Sequence, residues 1–384
     1  MATWRLDPAT THLNHGSFGA TPSEVLDHQS ALRSEMEHNP VDFMMRQYQP
    51  LLEASRSAVA SFVGADADGL VFVPNATYGV NSVLRSLEPQ LPSGADILIT
   101  NHTYNACRNA AAETARRIGG QLVVADIPFP IDDPQVVVEA VYAAVTPATK
   151  VVVLDHVTSA TALILPVREI IAALDPQLLV VVDGAHAPGM IDVDIRALGA
   201  AFYTANCHKW MCAPKGAAFL WVAEAFRDTI GAVAVSHGYN DGWPQSASRF
   251  HAQFDWTGTD DPTARLSVPT ALSVVGEHLL AGWPGIRTSN HALVLQGREL
   301  LTAALDSEAP VPAEMIGSIA SLSIPADRYP GHNAFKVVES LHDTWSIEVP
   351  VSTWPTLDHR LLRISAQQYN TLTDYELLAR ALTS

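Results

Sequence analysis

Ala201-Phe-Tyr-Thr-Ala-Asn-Cys-His-Lys-Trp210 is an apolar run that stops at Asn206 and hands over to His208 and Lys209. Upstream, a second apolar run, 178–183, ends on Asp183. A lysine behind one strand and a carboxylate at the end of another are what an aldehyde cofactor needs. The amine forms the Schiff base and the carboxylate keeps a pyridinium nitrogen protonated. Taken alone, the lysine reads as a solvated surface charge and the aspartate as a helix cap or turn former. The pair points to pyridoxal 5'-phosphate only if the surrounding residues supply the rest of its site.

The 384 residues are 48% hydrophobic and 16% charged, enough to bury a large core and too ordered in composition for a disordered chain. A formal charge of −17 argues against a nucleic-acid or anionic-membrane surface, both of which need clustered cations. A small anionic ligand therefore needs a local trap, and helix-end amides, Lys209 and a C-terminal arginine, Arg363, can supply it. The three cysteines, Cys107, Cys207 and Cys212, have no framework spacing, which fits a reducing cytoplasm and makes zinc a poor reading. The first residues lack an apolar core of the kind a secretory signal needs, and no run of about 18 apolar residues occurs, so neither secretion nor membrane spanning is expected.

Short apolar runs at 69–73, 96–100, 121–125, 150–155, 178–183, 201–204 and 217–222 alternate with amphipathic stretches at 78–87, 105–118, 134–145 and 166–174. Runs continuous in Val, Ile, Leu and Phe are strands covered on both faces. The expected fold is α/β, with a mostly parallel sheet in a large domain, 23–255, and a smaller α+β C-terminal domain, 256–384, with segment 1–22 packed near it. In the small domain a long helical segment through Leu305 is followed by strands at 316–324, 345–351 and 361–364. Ligands of such sheets collect beyond the carboxyl ends of the strands. Asn75-Ala-Thr77, His102-Thr-Tyr104, Asp155-His156, Asp183-Gly-Ala-His186 and His208-Lys209 all lie at those ends.

Asn75, Ala76 and Thr77 open a helix, where free amides and a hydroxyl suit a phosphate or serve as an ordinary N-cap. Tyr104 or His102 either stacks on a pyridine ring or fills core. His186 either reaches the ring or its phenolic oxygen, or is a hydrogen-bonded structural histidine. Asn206 and His208 flank Lys209 closely enough to help hold a phosphate. Arg363, a cation in an apolar stretch, either snorkels to solvent or clamps a substrate α-carboxylate with its planar fork.

These motifs resemble the class V, cysteine desulfurase-like branch of fold-type I pyridoxal phosphate enzymes, and within it the isopenicillin N epimerase-like group. The matching stretches are His12-Leu-Asn-His-Gly-Ser-Phe-Gly19, Val73-Pro-Asn-Ala-Thr77, His102-Thr-Tyr-Asn-Ala106, Asp155-His-Val-Thr-Ser159, Val182-Asp-Gly-Ala-His-Ala-Pro-Gly189, Asn206-Cys-His-Lys-Trp210 and Leu362-Arg-Ile-Ser365. The resemblance implies Lys209 as the Schiff-base lysine, Asp183 as partner of the pyridine nitrogen and Tyr104 or His102 as the stacking group. It implies phosphate contacts from Ala76, Thr77, Asn206 and His208, with Thr257 and Gly258 reaching across from a second subunit of a homodimer. Arg363 would bind the substrate carboxylate. Asn206 stands where the family commonly has Ser or a small residue.

The expected activity is that of a cytoplasmic enzyme acting on an α-amino acid through an external aldimine and a Cα carbanion, with Lys209 as base. The favoured outcome is β-elimination, cleaving the C–S bond of a cysteine-derived thioether or sulfoxide. Alternatives are epimerisation, which needs a second acid from among His15, Tyr104 and Ser159, and the decarboxylating, oxidative chemistry of some antibiotic-pathway relatives. A persulfide-forming desulfurase fits less well, because no cysteine follows Cys212. A silent binding or sensor protein of the same fold would not need Lys209, Asp183 and Arg363 together.

Overall fold

The computed structural model describes residues 3–240, 246–277, 279, 281–325, 327–329, 331 and 333–384. After the two-residue strand β1 (Thr11–His12), the apolar runs form β2 (Leu70–Val73), β3 (Asp96–Thr100), β4 (Leu122–Ala125), β5 (Thr149–Asp155), β6 (Leu179–Asp183), β7 (Phe202–Asn206) and β8 (Ala218–Val222). These seven make one sheet in the order β2-β8-β7-β6-β5-β3-β4. Pairing is parallel from β4 through β7, and only β8 runs against its neighbours. The run-together apolar sequence follows from this burial. In β5, Val152 and Leu154 face one apolar cluster while Val151 and Val153 face the other, so both faces are covered by helices.

The parallel pairing brings the strand ends together. Asp155 at the end of β5 is in register with Asp183 at the end of β6, and Asp183 with Thr204 of β7. The helix Ala76–Leu87 follows β2, and its N-cap Asn75 accepts from the Tyr78 amide at 2.9 Å. That helix lies close on β7 because Gly79 has no side chain, and a Cβ there would run into the Thr204 side chain. The helix Asn105–Ile118 follows β3 and presents its first turn to the same edge.

The C-terminal part holds β9 (Ile319–Ser323), β10 (Ile347–Glu348), β11 (Val351–Thr353) and β12 (Arg360–Ser365). β11, β12 and β9 form an antiparallel sheet in that order, while β1 pairs in parallel with β10 and so ties the N-terminal segment to this part of the molecule. Two details differ from the sequence reading. The long helical segment is three helices, Thr263–Leu266, Val268–Gly276 and Gly282–Leu305. Pro269 sits in the first turn of the second of these, since a residue without N–H cannot continue the preceding helix. The expected strand 345–351 is two strands, because Pro350 can offer no ladder amide between them.

Candidate active site

Lys209 follows β7 in a tight turn whose carbonyl is held twice, by the Cys212 amide at 3.0 Å and by His15 Nε2 at 3.0 Å. Gly19, with φ of +70°, lets the N-terminal loop pass against this turn, where a Cβ would collide with the His208 carbonyl. The amine itself, Nζ, sits 3.1 Å from Nε2 of His186. The indole N–H of Trp210 approaches Nδ1 of the same imidazole at 3.3 Å. An indole can only donate, so Nδ1 must accept and the neutral ring carries its proton on Nε2. Burial and the neighbouring Lys209 and Arg363 keep His186 neutral, well below the ordinary histidine range. Nε2–H then faces Nζ as a donor, and an ammonium there would set donor against donor. The arrangement favours the free amine, and burial together with the Arg363 charge brings Lys209 down to about 8.

Asp183 is buried, accepting from the Ala185 amide at 3.0 Å on Oδ1 and from the Cys107 thiol at 3.0 Å on Oδ2. Asp155, in register beside it, accepts the Tyr104 amide at 3.2 Å on Oδ1, while its Oδ2 is buried without a partner among the described residues. Burial raises both carboxyls above their usual range, and the charge of Asp183 adds to the effect on Asp155. Among the described residues neither forms an ion pair.

At the other flank, Asn206 Oδ1 accepts the Ala76 amide at 2.9 Å, tying β7 to the start of the helix Ala76–Leu87 and leaving the Asn206 NH2 as the free donor. His208 Nδ1 pairs with the Ala217 carbonyl at 2.9 Å, and burial holds its ring near 4. Thr77 lies in the first turn of the helix Ala76–Leu87. Thr257 is exposed, Gly258 has φ of +130° with open space around it, and neither bonds to a group of this cluster.

Arg363, on β12, is 7% exposed, so it does not snorkel. Its guanidinium donates to Ser159 O at 2.8 Å, Ser159 Oγ at 3.1 Å and Ser17 Oγ at 3.1 Å, all neutral oxygens. Burial without a counter-ion lowers it to about 10. Tyr104 is 47% exposed at the mouth of an open groove of about 980 Å³ that also reaches Ser159.

Two candidates are placed elsewhere than the sequence suggested. His102 is buried, with Nδ1 2.7 Å from Thr161 Oγ1 and Nε2 3.1 Å from the Ile127 carbonyl, and its ring lies 4.5 Å from that of Trp354. Its nitrogens are engaged by protein and its ring packs on Trp354, whereas Tyr104, lining the same groove, is the more exposed of the two aromatics. His15 is fully buried, accepts the Ala20 amide on Nδ1 at 3.3 Å and braces the Lys209 carbonyl with Nε2. It has no exposed surface and burial brings it to about 3, and its visible task is to brace the Lys209 turn. Sequence reasoning passed over Trp210, Cys107 and Ser17 as site residues and gave Asp155 no role beyond its place at a strand end. Trp210 adjoins Lys209 and Cys107 lies one turn beyond Tyr104, but which atoms they touch is visible only in the fold.

The cluster has a buried amine at Lys209 and a buried cation at Arg363, and buried carboxyls at Asp183 and Asp155, and among the described residues none of these is ion-paired. An amine for an aldehyde, a carboxylate for a pyridinium and donors near Asn206 and Thr77 for a phosphate together fit pyridoxal phosphate. The family model described as Aminotransferase class-V matches residues 8–253. The chain is 36% identical to the isopenicillin N epimerase of Amycolatopsis lactamdurans, covering 98% of this chain and 95% of the relative. It is 29% identical to a putative L-cysteine desulfhydrase of Oryza sativa subsp. japonica, covering 98% and 83%. Among solved structures, the cystine C–S lyase C-DES in complex with cysteine persulfide superposes with a TM-score of 0.80 at 19% identity, covering 98% and 97%.

Proposed function

The chain belongs to the aminotransferase class-V family, and on that premise we propose that it is a pyridoxal phosphate enzyme cleaving the C–S bond of a cysteine-derived S-conjugate by β-elimination. The observation that carries an amino-acid substrate is Arg363. Among the described residues the partners of this buried guanidinium are all neutral oxygens, so its charge is unbalanced, and an α-carboxylate would balance it with two parallel bonds. Pyridoxal phosphate, when bound, supplies an electron sink that stabilises negative charge at the substrate Cα. Asp183 lies where it would face the pyridinium, and that cation would relieve the desolvation its carboxylate suffers. Asn206, Thr77, Ala76 and His208 would hold the phosphate. Lys209, held as the free amine by His186, takes the Cα proton at Nζ. The Cβ–S bond then breaks, the sulfur leaving as a thiol after taking a proton, and hydrolysis of the remaining enamine yields pyruvate and ammonia.

The relatives carry the choice of bond, since a cysteine desulfhydrase spans nearly the whole chain. All three cysteines are buried and burial pushes their thiols up, so none offers the nucleophile a persulfide-forming desulfurase requires. Epimerisation is the second reading, favoured by the 36% identical epimerase, and it needs an acid on the opposite face of Cα, for which Tyr104 is the open hydroxyl. We assign the exposed Thr257-Gly258 loop to a site completed by a second copy, and unpaired buried cysteines fit a cytoplasmic setting. Among the described residues no helix is long and apolar enough to cross a membrane. The test is incubation of the cofactor-loaded enzyme with S-benzyl-L-cysteine in deuterated water. Pyruvate and thiol in equal amounts support the lyase, whereas recovered amino acid with deuterium and inverted configuration would establish the epimerase instead.

A further inference from the structure

Arg108 stands one helical turn beyond Tyr104 in the helix Asn105–Ile118, its amide donating to the Tyr104 carbonyl at 2.9 Å. Residues four apart share a helix face, and both side chains line the 980 Å³ groove that begins at Ser159, the partner of Arg363. The groove runs outward between this helix and the C-terminal part of the molecule. Phe335, Val351, Trp354 and Leu357 form its far wall, and Phe335 and Leu357 are 68% and 83% exposed. Among the described residues no Asp or Glu lines it, and Arg108 is its only side chain with a permanent charge.

That cation has no evident structural task. It is half-buried, and among the described residues its guanidinium makes no hydrogen bond or ion pair. The other two arginines of the same helix, Arg116 and Arg117, both pair with Glu113. The chain has 40 acidic against 23 basic side chains, so an unpaired arginine facing an acid-free groove goes against the composition. The helix gives no reason for it either, since a cation near the N-terminal end opposes the dipole.

We propose that this groove takes the side chain of the substrate, and that Arg108 binds a terminal carboxylate on it. The substrate class is then an α-amino acid with an anionic group at both ends, Arg363 holding the α-carboxylate and Arg108 the distal one. The apolar and aromatic wall suits a hydrocarbon or aromatic spacer between sulfur and that carboxylate. The inference rests on the amino-acid reading above and extends it to the side chain.

The test compares S-(para-carboxybenzyl)-L-cysteine with its neutral isostere S-(para-carbamoylbenzyl)-L-cysteine. Each is titrated into the cofactor-loaded enzyme and Kd is read from the cofactor absorbance, whichever bond is later cleaved. The wild type should bind the carboxylate roughly tenfold tighter than the amide, as a charge-assisted pair at a half-buried site gives. Arg108→Gln should erase that preference by weakening the carboxylate alone, and Arg108→Lys should restore part of it. Equal Kd values in the wild type, or equal weakening of both compounds in a folded Arg108→Gln protein, would overturn the assignment. If the preference and its loss are seen but neither compound releases thiol and pyruvate, the C–S cleavage reading fails while the groove assignment stands.

Discussion

Replacing Trp210 by Phe removes one proton donor while keeping an aromatic ring in a site that is 1% exposed. In the wild type that donor fixes the His186 tautomer, since Nδ1 must accept and Nε2–H is turned toward Nζ of Lys209 at 3.1 Å. Without it the proton can move to Nδ1, Nε2 becomes an acceptor, and a protonated Lys209 gains a hydrogen bond it could not make before. A hydrogen bond to a charged group contributes about 1.5–3 kcal/mol, and one pH unit corresponds to about 1.4 kcal/mol. The Lys209 midpoint, about 8 in the wild type, should therefore rise by roughly one to two pH units. His186, Arg363, Asp183 and Cys107 are the titratable groups acting on it, and the substitution leaves all four in place. The assay is the pH dependence of Lys209 modification in the cofactor-free protein by an amine-selective reagent, read by mass spectrometry on its peptide. Only the neutral amine reacts, so labelling of the wild type should switch on near pH 8 and that of Trp210→Phe at higher pH. An equal or lower midpoint in a variant with normal circular dichroism would refute the tautomer argument.

Arg363→Lys keeps a charge but loses the planar fork, so amino-acid binding should weaken by about 1.5–3 kcal/mol, or roughly ten- to a hundredfold, while amines lacking the carboxylate are nearly indifferent. Equal weakening of both ligand types would make Arg363 a structural residue. Asp183→Asn should retain cofactor but lose most of kcat, because the interaction it removes is made mainly in the carbanion-like transition state; a near-normal kcat would contradict the pyridinium role. For Asp155 the sign follows from burial, which raises the folded carboxyl above its unfolded value. The native state then binds the proton more tightly, and stability is lost as pH rises from the unfolded carboxylate range through the raised one. In the cofactor-free protein, the Tm of Asp155→Asn minus that of wild type should grow with pH between 4 and 8, as scanning calorimetry can check, and a constant difference would show that Asp155 titrates normally.

The large sheet was legible because its strands are covered on both faces, which forces runs such as Val151–Leu154 to be apolar throughout and makes their polar ends conspicuous. Lys209 and Asp183 stood out for the same reason, as charges at the ends of such runs. Relations between distant segments were not legible. The orphaned Oδ2 of Asp155 arises only when β5 registers with β6. Sequence alone left Tyr104 and His102 as alternative stacking groups, and the packing of Trp354, some 250 residues later, against the His102 ring was not visible in it. His15 was one of three candidates for a second acid because nothing local announces that Ala20 and the Lys209 carbonyl will use both its nitrogens. The break at Pro350, by contrast, was written in the sequence, since a proline within an expected strand argues against its continuity.

Reduction of the cofactor-loaded protein with borohydride, followed by peptide mapping, tests the central assignment most directly. The account predicts one modified peptide, containing Lys209, carrying the mass of reduced pyridoxal phosphate, and no modified peptide in Lys209→Ala. Cofactor fixed to another lysine, or equal labelling of the Lys209→Ala protein, would contradict it.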